Sequence, residues 1–441
     1  MSSDQLSGLG TAQAASLGAS QLAGLSTANV AAMNTSAFAA LSSASLSGLS
    51  SAQVRSLTTG QLSVLTSSQA SGLGAVQAFG LSSTQVGTIS SGNLAQLSAA
   101  TVAAVRADAV AGLSSTQVSA LNTSQVAAMT AEQAQRLGAE QAAGITTAQA
   151  GAISANSLAQ LSSSAMASLS TGAVAALTGT QLVALTSVQV GSMTTTQVAA
   201  LTTAQAASLG ALQAVGLGSV ALAAMETADL AKISASAMGS LSSVSIQALG
   251  STQVNSLTSS QVLALSATQV KALTTDQMAG LGTVQSSSLS ATQVGVLSTD
   301  NLVSLNTAAV AALSSKALSG LTSGQVRALT TAQLVALTTN QAAGLGVAQA
   351  SGLSGTQAAA MEAADIGKLL PTTITALTTA AAQSLTTAQF NSLSSAQVGA
   401  LSLVQMKALS SDQLSGLGTA QAASLGASQL AGLSTANVAA M

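Results

Sequence analysis

Leu385-Thr386-Thr387-Ala388-Gln389-Phe390-Asn391-Ser392 is followed at once by Leu393-Ser394-Ser395-Ala396-Gln397-Val398-Gly399-Ala400. Each octad holds a hydroxyl residue, two small residues and a glutamine, with an aliphatic residue before the hydroxyl and an apolar one after the glutamine. Ser/Thr-x-x-Gln is a helix-start signal. The hydroxyl accepts from the backbone N–H three residues on, and the glutamine reaches back to the N–H of the hydroxyl residue. The flanking apolar pair then sits before the cap and at the fourth helical residue, the arrangement of a hydrophobic staple. One octad therefore predicts one helix start, and the next follows in the next octad.

Working outward in steps of eight, the leucine slot is filled by Leu9, Leu17, Leu25 and Met33 near the beginning, by Ile89, Val105, Met129 and Ile145 further on, and by Met361 and Leu369 near the end. Every eighth residue is Leu, Ile, Met or Val, with no insertion or deletion, through 55 octads and a last residue. With the leucine as slot one, slot five is Gln in 35 of the 55 octads, and slot six is apolar except at Ser286. All eleven acids, including Asp4, Asp108, Glu132 and Asp229, fall in slots two, four or five. Seven of nine bases, including Arg55, Arg136 and Lys271, fall in slots seven or eight. Acids early and bases late suit a helix dipole. Pro371, the only proline, falls in slot three, the first helical position, where proline is best tolerated.

A single continuous helix needs an apolar stripe with a period near that of the helix itself, which a period of eight does not supply. A strand needs period two, and slots one and six have opposite parity. A β-solenoid with corners escapes that objection and stands as the alternative. Such short helices do not persist alone, because nucleation is costly. They must stack, so the expected fold is all-α, a solenoid of very short capped helices, one per octad.

Two longer periods overlie the octad. Residues 2–33 recur unchanged as 410–441. The chain thus reads as one uninterrupted solenoid over 1–441, with 1–408 one long repeat and 409–441 the start of the next copy, a slice through a larger array. Met1 aligns with Leu409, so it need not be a native start. Octads lacking the slot-five Gln form six clusters, spaced on average by about 8.5 octads. That spacing suggests a superhelix of about 8.5 octads per turn, with those octads aligned along one side.

Composition bounds the function. Charged residues are 5% of the chain against about a quarter in ordinary domains. There is no His, Cys, Trp or Tyr. That removes the imidazole base, the thiol nucleophile and the usual zinc ligands. Nine Lys and Arg are too few to neutralise a phosphate backbone, so nucleic acid is not an expected partner. Polar residues recur in nearly every octad, so no membrane span is expected. No catalytic, cofactor-binding or metal-binding residue is assigned, and no cofactor is expected.

The pattern Leu-[Ser/Thr]-Thr-x-Gln-[Val/Leu]-x-Ala, as in Leu329-Thr330-Thr331-Ala332-Gln333-Leu334-Val335-Ala336, resembles octapeptide arrays in very large bacterial secreted or cell-surface, adhesin-like proteins. The resemblance covers the whole chain. It implies an extracellular or cell-surface place, a structural or adhesive role and no enzyme activity.

Some residues invite a second reading. Glu226 with Asp229, and Glu362 with Asp365, could hold a hard cation such as calcium. A local ion pair to Lys232 and Lys368 accounts for them more simply. Glu132, Arg136 and Glu140 read as a solvated row. Met166, Met238, Met278, Met406, Phe38 and Phe390 sit in slot six and read as core, whereas Phe79, in slot seven, reads as exposed. The slot-five Gln suits capping and suits a ladder between units equally well. The expected function is a filament that self-associates head to tail or laterally, with the stalk of a giant adhesin as alternative. Ice binding by rows of hydroxyls is a lesser alternative, limited by hydroxyls consumed in caps.

Overall fold

The computed structural model describes residues 2–441; Met1, read above as a slot-one residue, lies outside them. Among the described residues the secondary structure is helical throughout, as 55 helices of four to six residues. Each occupies one octad. In the octad 49–56, Ser50 is extended (φ −73°, ψ 161°) and its side chain accepts from the N–H of Gln53, the third residue of the helix Ser51–Ser56. The helix stops because Leu57 leaves helical geometry (φ −57°, ψ 138°) and the extended Thr58 caps the next helix, Thr59–Ser63. Pro371 opens the helix Pro371–Ala376 at its first position.

No described residue, glycine included, has positive φ. Helix ends here do not use a left-handed glycine; the cap of the following octad terminates each helix. Glycine serves instead by lacking a side chain. A Cβ on Gly112 would strike the carbonyl of Ser83 on the preceding turn of the coil, and one on Gly320 would strike that of Ala291.

Contacts divide the chain into two compact units, Met1–Ala237 and Met238–Met441. The same stacking rule holds inside each. In the first, Thr11–Ala15 packs on Thr35–Ala40, three helices along; in the second, Thr283–Ser287 packs on Thr307–Ala312. Slots one and six point to a common interior. Val86, Leu97, Val105, Leu113 and Met129, from five octads, surround one void of about 20 Å³. Phe38, Phe390, Met166, Met278 and Met406 are buried in the same way.

The expectation of about 8.5 octads per turn is overturned. Successive turns of the coil meet at separations of 25 to 31 residues, between three and four octads. The reason is the core. With two apolar side chains per octad, three or four octads close around an interior that those side chains fill; a ring of eight would leave a hole. A spacing of about 8.5 octads is then no whole number of turns, and the Gln-poor octads do not stack into one row.

Candidate functional site

The most repeated chemistry in the molecule is the slot-five glutamine. In most octads it is buried, and there its amide is used at both ends. Gln53 Oε1 accepts from the N–H of Ser50 at 2.8 Å, completing the capping box. Its Nε2 donates to the carbonyls of Leu22 and Leu25, both at 2.8 Å, on the preceding turn. Gln125 does the same with Leu94 and Leu97, Gln333 with Leu302 and Leu305, and Gln429 with Val398 and Leu401. The accepting carbonyls belong to slot six, in the last turn of a helix, and to slot one, just past its end, so they lack a full set of intrahelical donors. One side chain thus caps its own helix and satisfies the end of another.

Where Gln is missing, another donor often takes the place. Ser45, Asn93, Thr101, Ser157, Asn301 and Thr373, all in slot five, donate to the corresponding slot-one carbonyl of the preceding turn. At Ala37 the slot-two residue substitutes: Asn34 Nδ2 donates to Ser7 and Leu9 at 2.9 Å. Asn306 repeats this beside Ala309.

Asp229 and Asp365 occupy the same slot and are buried. The expected ion pairs to Lys232 and Lys368 are not formed: the one ion pair among the described residues is Arg106 to Asp108, at 2.6 Å. Slot five points inward, whereas slot eight, which holds the lysines, lies beyond the helix end. Burial raises the Asp229 carboxyl above its ordinary value, and Glu226 adds to this. Burial likewise raises Asp365; the nearby Thr339 hydroxyl acts against it, and Glu362 adds to it. Neither Asp365 oxygen has a hydrogen-bond partner in good geometry. No group of three or more acidic residues able to hold a metal occurs among the described residues.

One surface feature collects side chains otherwise rare in this chain. An open groove of about 810 Å³ is lined by Val76, Phe79, Arg106, Asp108, Glu132 and Arg136, among others. Phe79 is 57% exposed there, in keeping with its slot. Arg106 grips Asp108 side-on, through Nε at 3.1 Å and Nη2 at 2.6 Å. Glu132 and Arg136 are solvated, as expected of them. The groove offers an aromatic face beside balanced charge.

Residues 222–259 and 299–331 match the family model described as the ALTTAQ repeat. The chain is similar to that repeat. The same six residues stand here as Ala328-Leu329-Thr330-Thr331-Ala332-Gln333 and again as Ala200-Leu201-Thr202-Thr203-Ala204-Gln205, slot eight of one octad through slot five of the next. They therefore span the staple leucine, the cap and the inter-turn glutamine. No curated protein matches the chain. The chain is a tandem-repeat helical solenoid, and no described helix is long and apolar enough to cross a membrane.

Proposed function

We propose that this solenoid is a structural, non-enzymatic module that propagates along its coil axis into an extended filament, outside the cell or on its surface. The observation that carries the reading is the bond between turns: slot-five glutamine amides join each turn to the one before, Gln53 to Leu22 and Leu25 and Gln429 to Val398 and Leu401, so the same bonds recur wherever octads are added to the coil. The resemblance to arrays of giant surface proteins supports the location and gives the second reading, in which the array is a stalk.

Light scattering and negative-stain imaging of the purified chain test this. Concentration-dependent filaments are expected. A monodisperse compact monomer at high concentration contradicts the reading. Immunodetection on intact source cells tests the location.

A further inference from the structure

Asp365 sits where a proton donor belongs. Slot-five Gln, Asn, Ser and Thr side chains donate to the slot-one carbonyl of the preceding turn; in the second unit Asn301 Nδ2 reaches Leu273 at 2.8 Å, and Thr373 Oγ1 reaches Leu345 at 2.9 Å. For Asp365 the corresponding carbonyl is that of Leu337. An ionised aspartate has only acceptors to offer it. Protonated aspartic acid has the shape of asparagine and carries one donor. Asp365 is 1% exposed and neither oxygen has a hydrogen bond in good geometry; the Thr339 hydroxyl nearby favours the ionised form less than burial opposes it. The helices packed on its own, Thr339–Ala343 and Thr387–Asn391, carry no titratable or charged side chain. The stretches 329–361 and 369–406 contain none either, so Glu362 and Lys368 are the nearby charges, and neither pairs with it. An unpaired buried carboxylate is costly, and the group takes up a proton instead.

We propose that Asp365 is a proton-operated latch: as the neutral acid its hydroxyl donates to the Leu337 carbonyl and ties two turns together, and on ionisation that tie is lost. The folded-state carboxyl titrates above its unfolded value of about 3.8. Its contribution is therefore complete below the unfolded value and disappears as pH rises through the folded one. Asp229, in the same slot of an earlier octad, is buried with a raised carboxyl of its own.

The test is urea denaturation of the full chain between pH 4.5 and 8, for wild type, Asp365→Asn and Asp365→Ser. The wild-type midpoint should rise on acidification. Asp365→Asn should raise the midpoint at pH 8 and flatten its pH dependence; Asp365→Ser, a residue native to this slot at Ser45 and Ser157, should flatten it too. Carboxyl carbon NMR should show the Asp365 resonance, assigned by its loss in Asp365→Asn, titrating above the usual carboxylate range. An unchanged pH slope in both variants, or an Asp365 titration in the ordinary range, overturns the proposal. So does stabilisation of wild type, but not of Asp365→Asn, by added calcium, because the slot would then hold a cation.

Discussion

Gln61 Nε2 donates to the carbonyl of Met33 on the preceding turn, at 2.8 Å, while its Oε1 accepts from the N–H of Thr58 at 2.9 Å. The first bond joins two turns and the second starts a helix. Helices of four to six residues are individually unstable. They persist here because most are capped by their own residues and packed by neighbouring turns.

Gln61→Ala should destabilise the first unit by about 1–3 kcal/mol, the cost of leaving buried polar groups unsatisfied. Gln61→Glu keeps the length but replaces a donor with an acceptor. Its loss should be larger at pH 8 than at pH 5. Urea denaturation followed by circular dichroism checks both, and an Ala variant as stable as wild type would show that the bond carries no weight.

The caps separate by chemistry. Ser50 accepts from the N–H of Gln53 at 3.3 Å. Ser50→Ala should cost about 1 kcal/mol and Ser50→Gly only a few tenths. Gly10 and Gly74 already stand in this slot and keep the Gln half of the box. Equal losses in thermal midpoint for the two variants would go against this.

Glycines separate by space. Gly112→Ala drives a Cβ into the Ser83 carbonyl and should cost about 1–3 kcal/mol, as overpacking does. Gly92 lies in the helix Ser91–Leu94 with nothing within 4 Å of a Cβ, so Gly92→Ala should stabilise by up to about 1 kcal/mol. Paired thermal melts decide it; shifts of the same sign would contradict the stacking geometry.

Stability should barely respond to ionic screening. The one ion pair among the described residues, Arg106 to Asp108, is partly exposed, a class worth roughly 0–1 kcal/mol. Raising sodium chloride from 0.02 to 0.2 M should leave the denaturation midpoint unchanged within error. A large shift would reveal charge interactions that the fold does not contain.

The octad makes most of this fold legible. Slots one and six declare the core, slots two and five the cap, and Pro371 the helix start. Phe79 is recognisable as exposed because it alone of the phenylalanines leaves slot six. The turn length is not legible. It depends on how many octads close around a filled interior, a volume relation that does not appear as a period. The spacing of the Gln-poor octads therefore points to a turn that the core does not allow. Asp229 and Asp365 mislead for a related reason. Their spacing to Lys232 and Lys368 suits a pair on a long exposed helix, but a helix that ends within the octad turns slot five inward and leaves slot eight behind. The Phe79 groove assembles residues from several octads, so spacing along the chain gives no sign of it.

The central claim is the inter-turn register, and an engineered disulfide reads it directly. The chain has no cysteine. A Cβ on Gly179 lies 3.2 Å from that of Ser208 on the adjacent turn, close to the spacing a disulfide requires. Gly179→Cys with Ser208→Cys should oxidise to an intramolecular bond in nearly every molecule, seen by intact mass and thiol titration, with helicity retained. Glu140→Cys with Ser208→Cys, separated by the spacing of the Gln-poor clusters, should stay reduced. Failure of the first pair to close in the folded protein, or closure of the second instead, would contradict a coil that returns on itself within three to four octads.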